Sequence, residues 1–331
     1  LKEISVYNNY EDKDQEVHKT RKDLRHINFI TIDGADAKDF DDAVFCHSSE
    51  NGWKLFVAIA DVEHFVSSGT AVDNEALQRG TSVYFYDRVL PMLPEVLSNN
   101  LCSLRPNQPR LAIVCEMDID FDGSTKNSKF YKAVIESKAR LTYSQVSSLI
   151  SGGDFSPVSS STSELIDNLS NLYKAQTTYR KKRGAINLDL PQLRIILDDN
   201  DEMRGVKNIN RSIAHGIIEE CMIAANVEAA KFIKKSGIPT LYRNHDLPDK
   251  ESIEDLFRLL RSQGINTSSS KEISPTALNK ILSQLENNPR KVLISMMMLR
   301  TFSQANYCQD NIGHFGLALS LYAHFTSPIR R

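Results

Sequence analysis

Five aspartates fall between positions 33 and 42: Asp33, Asp36, Asp39, Asp41 and Asp42. Carboxylates spaced this closely repel one another unless something neutralises them. Protonation is one answer, because a neighbouring like charge raises a carboxyl pKa. A hard divalent cation is the better answer at neutral pH, since Mg²⁺ binds carboxylate oxygens together with substrate phosphates. The pattern therefore points to a magnesium site that works on a phosphate ester. A calcium loop of the EF-hand type needs glycine at about position 6 and glutamate at about position 12. Counted from Asp33 those places hold Lys38 and Val44, so that reading fails. A solvated acidic loop is the remaining alternative for this stretch alone.

Elements must hold these side chains in place. The alternation over Phe29–Asp33 reads as a strand entering the cluster, and Ala43–Cys46 as a strand leaving it. Asn51-Gly52 between apolar runs predicts a hairpin turn, with Trp53–Val62 as a central strand. Asp61, Glu63 and His64 follow, either facing the cluster or closing a strand at the surface. A short helix is expected over Ala71–Arg79, β-formers over Thr81–Tyr86, and an ordered loop with little regular structure over Leu97–Leu104. Leu111–Phe121 and Lys129–Lys138 pair as strands about a turn at Asp122, Gly123 and Ser124. Residues 151–163 read as a low-complexity surface loop.

From Glu164 the pattern turns helical. A helix over Glu164–Lys182 ends in the basic run Arg180–Arg183 and stops at Gly184. That run is a solvated helix end or a phosphate contact. Leu193–Leu197 reads as a strand with a turn over Asp198–Asp201. The helix expected over Ile213–Lys234 is apolar almost all round, hence buried. Glu219, Glu220 and Asn226 interrupt it, and a buried carboxylate requires a partner. Either nearby arginines supply it or the helix lines a substrate channel. Further helices are expected over Lys250–Gln263, Pro275–Glu286 and Lys291–Ala305, with Met296–Leu299 in the core.

The 331 residues are 41% hydrophobic and 25% charged, with net charge −2. That composition suits a globular chain with a sizeable core and gives no global electrostatic sign of nucleic acid. Five scattered cysteines without a CxxC pair suggest free thiols in a reducing compartment, consistent with the cytoplasm. No apolar run reaches the roughly 18 residues of a membrane-spanning helix, and the charged start lacks a signal-peptide core.

TIDGADAKDFDDAV resembles the signature of the ribonuclease II and ribonuclease R catalytic domain. So do VAIADVEHFV at 57–66, PMLPEVLSNNLCSL at 91–104, RGAINLD at 183–189, IIEECMIAANV at 217–227 and GHFGLALSLYAHFTSPIR at 313–330, in the family order. The block at Ser82–Tyr84 and the paired Arg330 and Arg331 are similar to the ribonuclease R side of that family. The resemblance implies an α+β fold: a mixed, mainly antiparallel sheet with several packed helices around an RNA channel. It implies a processive 3′-to-5′ exoribonuclease that uses Mg²⁺ and releases nucleoside 5′-monophosphates from single-stranded RNA, acting as a monomer and joined to RNA-decay partners through regions outside this chain. Residues 1–24 are expected to be a lead-in and 25–331 the catalytic domain, cut short at its C-terminal side and without the oligonucleotide-binding barrels that flank it in relatives. An RNA-binding fragment with little activity of its own is the alternative.

Carried over by residue, the resemblance assigns metal binding to Asp33, Asp39, Asp41 and Asp42. Asp33 and Asp42 hold the tighter ion, Asp41 positions a second ion or the attacking water, Asp39 supports them, and Asp36 is structural. Arg330 contacts the scissile phosphate, and Tyr84 stacks on the terminal base. Leu188 stands where relatives carry an aromatic in the base clamp, which weakens stacking there. Glu220, rather than Glu219, is expected to hydrogen-bond the terminal ribose.

Overall fold

The structure is a computed structural model that describes residues 7, 19–85, 88–153, 159–188, 190–198, 202–209, 211–267 and 274–330. Most of the expected lead-in over 1–24, Tyr86, part of the loop over 151–163, Asp201 and Arg331 lie outside the described residues. The chain divides into two compact units. The first comprises Leu1–Gln176, Arg211–Glu228 and Phe325–Arg331; the second comprises Thr177–Asn210 and Ala229–His324.

The first unit is built on strands β1 (Lys22–Asp23), β2 (Ile30–Asp33), β3 (Asp42–Ser49) and β4 (Gly52–Ala60). After β4 come a single helical turn, α1 (Val62–Phe65), and α2 (Ala71–Arg79). Thr70 caps α2 by accepting from the Asp73 amide, and Gly80 ends it at φ 69°. A two-residue pair follows, β5 (Val83–Tyr84) with β6 (Val89–Leu90), shorter than the expected Thr81–Tyr86 run. Leu97–Leu101 forms a π-helical turn rather than an irregular loop. Its serine and asparagines favour non-helical backbone locally, but burial of Leu97, Ser98, Cys102 and Leu104 overrides that preference. β7 (Pro109–Asp120), β8 (Thr125–Glu136) and β9 (Ala139–Thr142) complete the sheet. Its order is β1-β8-β7-β4-β3-β2-β9, with β1–β8 and β2–β9 parallel and the other pairs antiparallel.

Both faces of this sheet are covered, which explains why β4 reads as a continuous apolar run. Leu55, Val57 and Ile59 point to one face. There they pack against α3 (Tyr143–Ile150), the start of α4 (Ser160–Arg183) and the start of α5 (Ile213–Ser236), through Val146, Leu165, Leu169, Ile217 and Cys221. Phe56, Ala58 and Ala60 point to the other, packing with Phe29, Phe40, Leu97, Leu104 and Ile329. Thr142 and Gln145 form a reciprocal capping box at the start of α3, a helix the apolar pattern did not announce.

The second unit carries a hairpin of β10 (Gln192–Leu197) and β11 (Met203–Ile209), the end of α5, and β12 (Tyr242–Asn244). Helices α6 (Lys250–Ser262), α7 (Pro275–Gln284) and α8 (Lys291–Thr301) follow, then β13 (Asn306–Cys308), which pairs with β12. Leu256, Leu260, Leu278, Ile281 and Met298 form its main core. The methionine run is only partly core: Met298 is buried, whereas Met296 and Leu299 are about half exposed. α8 stops at Thr301, short of the expected Ala305. All five cysteines are free, and four are buried. Among the described residues no helix is long and apolar enough to cross a membrane.

Candidate active site

β2 ends at Asp33 and its antiparallel neighbour β3 begins at Asp42. Two carboxylates are thereby fixed side by side at one end of the sheet, and residues 34–41 form the loop between them. The loop is held from three directions. Arg140 of β9 donates through Nη2 to the carbonyls of Gly34 and Ala35, at 2.8 and 2.7 Å. Ser103, just past the π-turn, donates to the Lys38 carbonyl at 2.8 Å and accepts from the Phe40 amide at 3.0 Å. The Asp41 carbonyl accepts from the Ala60 amide at 2.9 Å. With Phe40 buried in the core beneath, Asp39 and Asp41 are presented from a fixed backbone.

Arg330 stands among these carboxylates. Its Nη2 lies 3.2 Å from Asp33 Oδ1, and its Nε lies 3.4 Å from Asp39 Oδ2 and 2.9 Å from Asp41 Oδ2. The Ile329 amide donates to Asp41 Oδ1 at 2.7 Å. The Tyr84 hydroxyl donates to Asp39 Oδ2 at 2.6 Å while its ring stays about half exposed. Asp36 is exposed.

The electrostatics are unbalanced. Burial pushes the Asp33 carboxyl up to about 6, against the pull of Arg330. Burial pushes Asp41 up to about 7, opposed by Arg330 and the Ile329 amide and reinforced by Asp39 and Asp33. Burial together with repulsion from Asp33 and Asp41 pushes Asp42 up to about 8. For Arg330, burial disfavours the charge, but Asp41, Asp39 and Asp33 outweigh it and hold the guanidinium firmly protonated. Burial and the bond to Asp39 raise the Tyr84 hydroxyl well above its ordinary value. One guanidinium thus serves three carboxylates; Asp33 Oδ2 is buried without a hydrogen bond, and Asp41 Oδ2 faces only Arg330 Nε at 2.9 Å. An all-oxygen donor set that outnumbers its one guanidinium and leaves Asp33 Oδ2 buried without a hydrogen bond suits a hard divalent cation. Among the described residues no three such side chains already converge as a coordination cluster; the guanidinium stands where positive charge is needed.

Glu219 and Glu220 separate clearly. Glu219 is half-buried and ion-paired with Arg211, the bland alternative for these glutamates. Glu220 is buried, on the α5 segment belonging to the first unit. Leu188 belongs to the second unit, packed partly buried against its helical core. The basic run also lies in the second unit, where Arg183 Nε donates to the Leu317 carbonyl at 3.0 Å while Lys181 and Lys182 are exposed.

Asp61 corrects both alternatives raised for it. It is buried, neither at the surface nor in the cluster, and pairs with Arg21 at 2.7 Å and Lys132 at 3.6 Å. Glu63 takes Lys132 at 3.1 Å from the exposed side. Sequence reasoning missed Arg140 and Tyr143. Tyr143 stacks on His215 at 3.8 Å between ring centroids. Burial and the Asp33 and Asp42 charges raise its hydroxyl to about 12. The Thr142-x-x-Gln145 spacing was the available signal for that helix start.

The RNB domain family model matches residues 21–331, and the chain belongs to that family. Among characterised relatives, ribonuclease R of Vibrio parahaemolyticus is 43% identical over 99% of this chain and 40% of its own length. Ribonuclease R of Escherichia coli is 43% identical over 97% of this chain, again covering 40% of that protein. Mycoplasma genitalium RNase R, solved in complex with ribose-methylated single-stranded RNA, superposes with a TM-score of 0.95 at 31% identity, covering 99% of this chain and 51% of that one. A yeast pseudonuclease matches with a TM-score of 0.76 at 19% identity, a likeness of fold alone. The chain therefore spans about 40% of the length of the curated relatives it matches.

Proposed function

We propose that residues 25–331 form the catalytic domain of an exoribonuclease that shortens single-stranded RNA from its 3′ end and releases nucleoside 5′-monophosphates. The observation that carries this reading is the meeting of Arg330 with Asp33, Asp39 and Asp41 at one end of the sheet. Kinship with ribonuclease R supports it, as does the RNA bound by the Mycoplasma genitalium relative. The free, mostly buried thiols fit a reducing cytoplasm.

Hydrolysis needs a water aligned with the P–O3′ bond, charge stabilisation at the phosphate and a proton for the departing 3′ oxygen. When bound by Asp33, Asp39, Asp41 and Asp42, Mg²⁺ supplies the charge neutralisation and the acidified water. Asp41 orients the attacking water through Oδ2, since Oδ1 is committed to the Ile329 amide. The Arg330 fork, held protonated, is placed to take two oxygens of the scissile phosphate. Tyr84, anchored at its hydroxyl by Asp39, offers an exposed ring face to the terminal base. Glu220 accepts a hydrogen bond from the terminal ribose, the contact by which RNA is told from DNA. Leu188 packs on a base without stacking as a ring.

The test is digestion of a 5′-labelled single-stranded RNA with Mg²⁺. A ladder shortening from the 3′ end is expected, and EDTA stops it. Binding without shortening overturns the reading in favour of an inactive RNA-binding domain.

A further inference from the structure

Arg330 reaches the aspartates from a short segment, Phe325–Arg330, whose backbone is tied down by side chains from elsewhere in the first unit. One of those ties is an amide that no catalytic scheme uses. Asn226 lies on α5, six residues beyond Glu220, and is 2% exposed. Its Oδ1 accepts from the Phe325 amide at 2.7 Å and from the Thr326 amide at 3.1 Å. Its Nδ2 donates to Thr326 Oγ1 at 3.2 Å. Both lone pairs of the amide oxygen are thereby used on one turn of backbone.

The segment has a reason to need such a clamp. Ser327 holds φ at 67°, a left-handed conformation that a residue with a Cβ rarely adopts. It does so immediately before Pro328, which itself restricts the preceding backbone. Such a kink persists only where its surroundings over-determine it. Beyond the kink, Ile329 is fully buried, its amide donates to Asp41, and the Arg330 carbonyl accepts from the Ser82 amide at 2.8 Å and Thr81 Oγ1 at 3.0 Å. Asn226 holds the near side of the kink; Asp41, Ser82 and Thr81 hold the far side.

We infer that Asn226 is a positioning residue for Arg330: by clamping Phe325 and Thr326 it sets the kink at Ser327 and so the reach of the guanidinium into the aspartate cluster. Asn226 touches no substrate. It acts on the reaction through the placement of Arg330 alone, and the inference rests on the exoribonuclease reading above.

The test is a double-mutant cycle on the full 331-residue chain: wild type, N226A, R330A and N226A/R330A. N226D is the conservative variant, because a carboxylate keeps both acceptor bonds. Each protein is assayed for kcat and KM on a 5′-labelled single-stranded RNA with Mg²⁺, and melted to confirm folding at the assay temperature. N226A is expected to lower kcat roughly tenfold to a hundredfold with little change in KM, the scale of a misplacement of about 1 Å. N226D restores most of that loss. In the R330A background N226A adds less than about twofold, because its route to the chemistry is already gone. Losses that multiply across the cycle, or a change confined to KM, overturn the clamp while leaving the nuclease reading intact. If N226A melts below the assay temperature, T326V decides: it removes one of the three bonds, so a smaller kcat loss that vanishes in R330A supports the clamp, and no loss overturns it. A wild-type chain that does not shorten RNA at all overturns the nuclease reading and the clamp with it.

Discussion

Two aspartates at adjacent strand ends of one sheet meet opposite fates. Asp41 immediately precedes β3 and Asp61 immediately follows β4, and both are 1% exposed. Asp61 has two cations to itself or nearly so, Arg21 at 2.7 Å and Lys132 at 3.6 Å. Asp41 shares one guanidinium with Asp33 and Asp39. The first is a closed electrostatic account that holds the structure together. The second is an open one, with more carboxylates than cations and carboxyls pushed toward neutrality by burial. Burial alone therefore does not distinguish these two acids; the ratio of carboxylates to cations around each does.

The contrast breaks most sharply on substitution. Asp41→Asn is expected to reduce turnover about a thousandfold or more, as loss of a charge-organising group at a reacting centre does, while RNA affinity by fluorescence anisotropy stays within a few-fold. Equal losses of rate and affinity would remove Asp41 from its assigned role. Asp61→Ala is expected to do the reverse. It leaves Arg21 buried without its partner and costs about 3 kcal/mol of stability in urea unfolding, with per-molecule activity of the folded fraction retained. If Asp61→Ala instead abolishes catalysis without destabilising the fold, the two aspartates are not of different kinds.

A smaller and graded effect follows from pH. Asp33, Asp41 and Asp42 hold protons in the fold up to about 6, 7 and 8, whereas in the unfolded chain they release them near the ordinary carboxylate value of about 4. Between those limits the metal-free folded state binds more protons than the unfolded state, so stability falls as pH rises, by up to about 1.4 kcal/mol per pH unit for each group. The metal-free protein is expected to melt higher at pH 5.5 than at pH 8.5, and millimolar Mg²⁺ to restore the loss at the higher pH. Asp42→Asn should flatten the dependence. A melting temperature insensitive to both pH and Mg²⁺ would close the open electrostatic account and leave no role for a cation.

Much of the site was legible before any coordinates. The alternation of Phe29–Asp33, the Asn51-Gly52 turn and the apolar run of β4 are local signals, and local backbone preference decided them. The same holds for α2, bounded by Thr70 and Gly80. Less legible was the π-turn over Leu97–Leu101, whose residues favour irregular backbone and whose conformation comes from burial on the sheet. Arg140 was missed because β9 is only four residues long, too short for an alternation to stand out, and Tyr143 because it opens α3, a helix the apolar pattern did not announce.

By itself, then, the sequence determined the aspartate set, the strands that carry it and the resemblance that ties Tyr84, Glu220 and Arg330 to the same chemistry. Tertiary structure alone decided which charges meet. Arg21 reaches Asp61, Arg211 engages Glu219, and Arg330, almost 300 positions along the chain from Asp33, enters the cluster through a kink clamped by Asn226. Periodicity and capping act over a few residues and are written in the chain. Ion pairing acts through space, and its partners are set only when the sheet and its covering helices close.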